Sequence, residues 1–70
     1  MTARSLMVTI NGESRQVRAS SVAGVVEELG LPAATLLIEH NGDALQRAEW
    51  TKRDVREGDR FEILRVAAGG

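Results

Sequence analysis

The chain of 70 residues offers few side chains that could do chemistry. It has no cysteine, which excludes disulfides, thiolate metal sites and a nucleophilic thiol. Its single histidine, His40, leaves no histidine pair for a metal and no basis for a catalytic triad. Beside an Asn-Gly turn, His40 reads as an exposed strand residue. Two carboxylate pairs, Glu27-Glu28 and Asp54 with Glu57, have the composition of an acid–base couple. A chain this short has no deep pocket to shift their pKa values, so they read as a solvated face. Gly12, Gly30, Gly42 and Gly58 are spaced too widely for a phosphate-binding loop, and each falls where a turn or helix end is expected.

What remains is the C-terminal run RVAAGG. Ala67, Ala68, Gly69 and Gly70 carry almost no side chain, so they cannot pack against a core. Backbone without bulky side chains can instead enter a narrow channel, because nothing prevents close approach of surrounding atoms. Such a tail, 67–70, is expected to be flexible and to deliver its terminal carboxylate beyond the body of the domain, 1–66. A carboxylate is a feeble electrophile until a phosphate or nucleotide leaving group is attached. Once adenylated it is an acyl donor for a thiol, an amine or a sulfide. The catalytic apparatus for those steps would belong to a partner.

Composition agrees with a chain that is acted upon. Apolar content of 43% and charged content of 27% are those of an ordinary globular protein, and the length allows one domain with one modest core. The net charge of −1, with basic and acidic residues interspersed, gives no electrostatic footprint for nucleic acid or an anionic membrane. Two aromatic residues, Trp50 and Phe61, are too few for a base-stacking platform. No apolar run is long enough to span a membrane and no signal-peptide pattern opens the chain, so a cytoplasmic location is expected. Lys52 is the only lysine beside eight arginines, which argues against self-conjugated chains built through Gly70.

The elements that must position the tail are legible from periodicity. Leu6, Val8 and Ile10 alternate with Met7 and Thr9, a strand with one buried face. Asn11-Gly12 then signals a hairpin, and the return strand 14–19 buries Val17 and carries charge suited to a sheet edge. Ser20 and Ser21 can cap a helix on which Val22, Val25, Val26 and Leu29 form one stripe, ending at Gly30 before Pro32. Leu36-Leu37-Ile38 reads as a strand running into Asn41-Gly42, followed by a short strand over 44–46. A helical turn over 48–53 carries Trp50, read as a core anchor. After the turn at Glu57-Gly58-Asp59, residues 60–66 form a strand apolar on both faces, which suits a central position.

The sum is an α+β domain of ββαββ type, a mixed sheet covered on one face by a helix: the β-grasp arrangement. Its last strand should lie beside the first and parallel to it. Phe61 and Ile63 would face the helix, leaving Leu64 and Val66 on the open side with Met7. Such an apolar cluster beside the tail is a candidate docking surface; the alternative is that it packs on the loop carrying Trp50.

These residues resemble the ThiS family of bacterial sulfur carriers, which share the ubiquitin-like β-grasp fold and a C-terminal Gly-Gly. The likeness covers nearly the whole chain: Met7-Val8-Thr9-Ile10-Asn11-Gly12, Ser21-Val22, Glu28-Leu29-Gly30, Asn41-Gly42-Asp43, Gln46-Arg47-Ala48-Glu49-Trp50, and Glu57-Gly58-Asp59-Arg60-Phe61-Glu62-Ile63-Leu64 before Gly69-Gly70. One departure is Leu45-Gln46, where the family often has Val-Pro. The resemblance implies that an E1-like adenylyltransferase of ThiF type uses ATP to activate the carboxylate of Gly70. A sulfur donor such as a cysteine desulfurase then supplies the sulfur of a thiocarboxylate, and a thiazole synthase of ThiG type consumes it in thiamine biosynthesis. It implies a co-substrate and not an enzyme, with no cofactor or metal bound by the chain itself. Two alternatives share the tail: a molybdopterin-synthase small-subunit type of carrier, whose chains are usually longer with bulkier tails, and a ubiquitin-like protein modifier.

Overall fold

The computed structural model describes residues 4–66. The tail 67–70 lies outside the described residues, and with it Ala67, Ala68, Gly69 and Gly70. Strands β1 (Leu6–Ile10) and β2 (Glu13–Val17) form a hairpin, followed by helix α1 (Val22–Glu28). Then come β3 (Leu36–His40), the short β4 (Asp43–Leu45) and β5 (Arg60–Arg65), with single 3-10 turns at Ala33–Thr35 and Arg47–Glu49. The sheet order is β2-β1-β5-β3-β4. The short run near residue 45 is thus a fifth strand, completing ββα with three strands after the helix, and it pairs antiparallel with β3.

β5 is central, parallel to β1 and antiparallel to β3, as its two apolar faces require. Both hairpins close through Asn-Gly, with Asn11 and Asn41 each at φ 52° and the following glycines also at positive φ. Such a turn carries the right-handed twist that two flanking strands need.

The helix owes little to intrinsic propensity, since valines and a glycine are mediocre helix formers. Its N-terminus is held by tertiary contacts instead. Ser21 Oγ accepts the Gly24 N–H at 3.1 Å, while Val22 and Ala23 donate to the carbonyls of Arg53 and Trp50 at 2.9 and 3.0 Å. Four orphan donors at a helix start must find partners somewhere, and here the loop between β4 and β5 supplies two of them. Val25 and Val26 press onto Val8, Ile10, Val17, Phe61 and Ile63, all within one buried cluster. Leu29 is only half-buried, because the helix ends before it and it packs at the margin of the core.

Trp50 is buried in that core, as expected of an anchor for the long loop, and Arg47 stacks over its ring. Val55 is fully buried. It stands alone in the polar run Arg53-Asp54-Val55-Arg56-Glu57, so no periodicity marks it. Its position is set by pairing: its N–H donates to Ser20 and its carbonyl accepts from Arg4 Nη2.

Candidate functional site: the open sheet face beside the C-terminal strand

With α1 covering one face, the other face of the sheet is open. Met7 on β1 and Leu64 on β5 point outward, 45% and 64% exposed, and Val66 follows at 41%. These are the three residues placed there by alternation. Their side chains stand in solvent, whereas Trp50 is buried, lining a cavity on the helix side with Ala23, Val26 and Leu31. A fourth residue joins them. Leu37 is 56% exposed and sits directly opposite Leu64 in the β3–β5 register. Within Leu36-Leu37-Ile38 the sequence offers no polar residue to show which side faces water, so the outward member emerges only from the pairing.

Beside Leu37 and Leu64 the sheet forms a shallow groove of about 410 Å³, completed by Ile38, Glu39, Ala44, Leu45 and Glu62. Glu39 and Glu62 are paired across the strands, one step from the two leucines. The face is therefore an apolar patch with an acidic margin, and the strand that carries it leads straight into the tail. Val66 N–H still donates to Thr35 carbonyl at 2.7 Å, so the strand is held to its last described residue.

The other polar cluster is internal. His40, expected to be exposed, is buried: alternation along β3 turns it to the helix side, where it stacks on Phe61 with ring centroids 4.8 Å apart. Its Nδ1 accepts from Arg53 Nε at 3.1 Å, which leaves Nε2 to carry the proton and donate to Asp59 Oδ2 at 2.8 Å. Asp59 also accepts from Asn41 Nδ2 and from the Arg56 N–H. Arg53 pairs in turn with Asp43. Every polar atom of the imidazole is thus engaged in tying the β3–β4 turn to the loop before β5. The cluster is structural.

The carboxylates read as a solvated face are in part also structural. Glu28 accepts the N–H groups of Arg18 and Ala19, and Glu57 accepts that of Met7. They are exposed side chains that satisfy loop and edge donors the sheet leaves over.

A five-stranded mixed sheet grasping one helix, with a bare face beside its C-terminal strand, defines a ubiquitin-like β-grasp domain. Comparison with known proteins gives the particular family. The ThiS family model matches residues 8–70, from within β1 through the tail. A sulfur carrier protein ThiS from Thermus thermophilus is 31% identical over 64 residues, covering 91% of this chain and 100% of that one. A crystal structure of the thiamine biosynthesis protein ThiS from Geobacter metallireducens superposes with a TM-score of 0.78 at 30% identity, covering 93% of this chain and all of that one. A thiazole synthase from Paramagnetospirillum magneticum is 30% identical over 66 residues, but this chain spans only 20% of its length. The chain belongs to the ThiS family.

Proposed function

We propose that the chain is the sulfur carrier of thiamine biosynthesis, working through the carboxylate of Gly70. The observation that carries this reading is the extent of the family match, which reaches from Val8 in β1 to Gly70. In the activation step an oxygen of the Gly70 carboxylate attacks the α-phosphorus of ATP, and pyrophosphate leaves. A persulfide sulfur then displaces AMP from the acyl adenylate to give an acyl disulfide, and a second thiol attacks its S–S bond, forming a new disulfide and releasing the thiocarboxylate. An E1-like adenylyltransferase holds the ATP, a cysteine desulfurase provides the sulfur, and the chain itself supplies only the carboxylate and the surface that is recognised.

The recipient is a thiazole synthase. A protein of that name contains, within one polypeptide, a segment similar to 93% of this chain, which supports the two working together. Met7, Leu64 and Val66, joined by Leu37, form the docking surface. They are large apolar side chains left in water on one face, and such a patch often marks an interaction site. The body docks through them while Ala67, Ala68 and Gly69 thread Gly70 toward the ATP site.

The test is mass spectrometry of the intact chain after incubation with the adenylyltransferase, ATP and a sulfur source. An oxygen-to-sulfur mass gain at the C-terminus is expected, and it should vanish when Gly70 is deleted although the fold is retained. No gain with an adenylyltransferase shown to be competent would overturn the carrier reading.

A further inference from the structure

The two Asn-Gly turns do more than reverse the chain: their asparagine side chains grip the central strand, one at its start and one at its middle. Asn41, between β3 and β4, accepts the Arg60 N–H on its Oδ1 at 2.8 Å and so holds the start of β5. Asn11, between β1 and β2, holds the middle of β5. Its backbone N–H donates to Phe61 carbonyl at 2.9 Å, the last rung of the β1 side. Its side-chain amide then supplies the next rung: Nδ2 donates to the Ile63 carbonyl at 3.0 Å and Oδ1 accepts the Ile63 N–H at 2.8 Å. These contacts join residues 52 apart in sequence.

A turn of this type needs residues tolerant of positive φ and makes no demand on the amide group. The bracket on Ile63 is therefore a separate property of Asn11. The parallel register of β1 with β5 ends at Ile10 and Phe61, so β5 runs on past its neighbour. Without Asn11, residues 63–66 would be paired on one edge only, through β3. Those residues set the direction in which the chain leaves the domain, four positions before Gly70.

We infer that Asn11 is a positioning residue for the activation of Gly70, acting through Ile63 to fix the trajectory of the last residues of β5. The inference rests on the carrier reading above. A tail that must place one carboxylate against an α-phosphorus loses rate when its base can swing, because misplacement by about 1 Å can cost on the order of a hundredfold. Docking, which uses the outer face of β5, does not depend on the bracket.

The experiment follows pyrophosphate release from ATP by the adenylyltransferase, with the full-length chain as substrate. Asn11→Gly keeps the turn, since glycine takes positive φ readily, and removes the bracket. It is expected to lower kcat by about tenfold or more while leaving KM for the carrier nearly unchanged. Asn41→Gly, which removes the grip on Arg60 at the start of β5, serves as the comparison and should leave kcat alone. Amide exchange of Ile63 in the free protein should quicken in Asn11→Gly. Should Asn11→Gly not fold, Asn11→Asp keeps the turn and the acceptor but sets a carboxylate against the Ile63 carbonyl, and the same contrast with Asn41→Asp applies. Unchanged kcat in the Asn11 variant, or an equal loss in the Asn41 variant, would overturn the inference while the wild-type chain still turns over. A wild-type chain that releases no pyrophosphate would overturn the carrier reading and this inference with it.

Discussion

His40 Nε2 and Asp59 Oδ2 lie 2.8 Å apart inside the domain, and the pair fastens the β3–β4 turn to the loop before β5. Burial alone would raise the pKa of Asp59. Hydrogen bonds from Asn41, the Arg56 N–H and His40 outweigh it, and the carboxyl titrates below its ordinary 3.8. A carboxylate with a depressed folded pKa contributes stability that is complete above the unfolded value and is lost as pH falls through the folded one. The domain should therefore hold its stability down to about pH 4 and lose it below. Asp59→Asn should cost about 1–3 kcal/mol at neutral pH, because partners are left unsatisfied, and should flatten the acid limb. Urea melts from pH 7 to pH 2.5 check both; an unchanged acid limb in the variant would refute the assignment.

Gly24 inverts the usual rule for glycine in a helix. Replacing an interior glycine by alanine ordinarily adds about 1 kcal/mol of helix stability. Here a Cβ at position 24 would sit 2.8 Å from Ala19 Cβ, and neither group can swing aside. Overpacking of this kind costs about 1–3 kcal/mol, so Gly24→Ala should destabilise on balance. A raised melting temperature would show that the segment before α1 yields easily.

Glu39 and Glu62 face each other across β3 and β5 with no salt bridge to either among the described residues. Like charges directly opposite on a sheet are unfavourable by a few tenths of a kcal/mol to about 1 kcal/mol. Glu62→Lys should raise the stability of the free domain by that order at low salt, and the gain should shrink as salt screens it. Paired denaturant melts at low and high ionic strength would show it; a stability loss at low salt would contradict the pairing.

Leu64 is exposed, so a charge there should leave the fold intact. Leu64→Asp is expected to melt within a few degrees of the wild type and to weaken binding to the adenylyltransferase by on the order of tenfold or more, as loss of a central apolar contact does. Calorimetry separates the outcomes. An unfolded variant would mean the leucine is a core residue after all, and unchanged binding would remove this face from the docking surface.

The strands, the helix and both Asn-Gly turns are visible in the sequence because each is a local pattern. Period-2 alternation, a stripe of valines and a pair of residues tolerant of positive φ all act over fewer than about ten residues. That β5 is central was also legible, since apolar residues on both of its faces suit a strand flanked on both edges within the sheet. The likeness of the whole pattern to a family, and the tail that ends it, needed no coordinates. The facts that escaped are those made by contact between distant segments. His40 looked like a surface residue because its neighbours are polar, yet register turns it inward to Asp59, 19 residues away. Val55 has no apolar neighbour to announce it. Leu37 could not be assigned to a face until it was set opposite Leu64. Asn11 announced a turn but not the amide bracket on Ile63, because hydrogen bonds across half a hundred residues leave no trace in spacing. Local sequence determines which conformations each segment prefers; which side chains then meet depends on register and on the crossing of the chain, and only the folded sheet decides that.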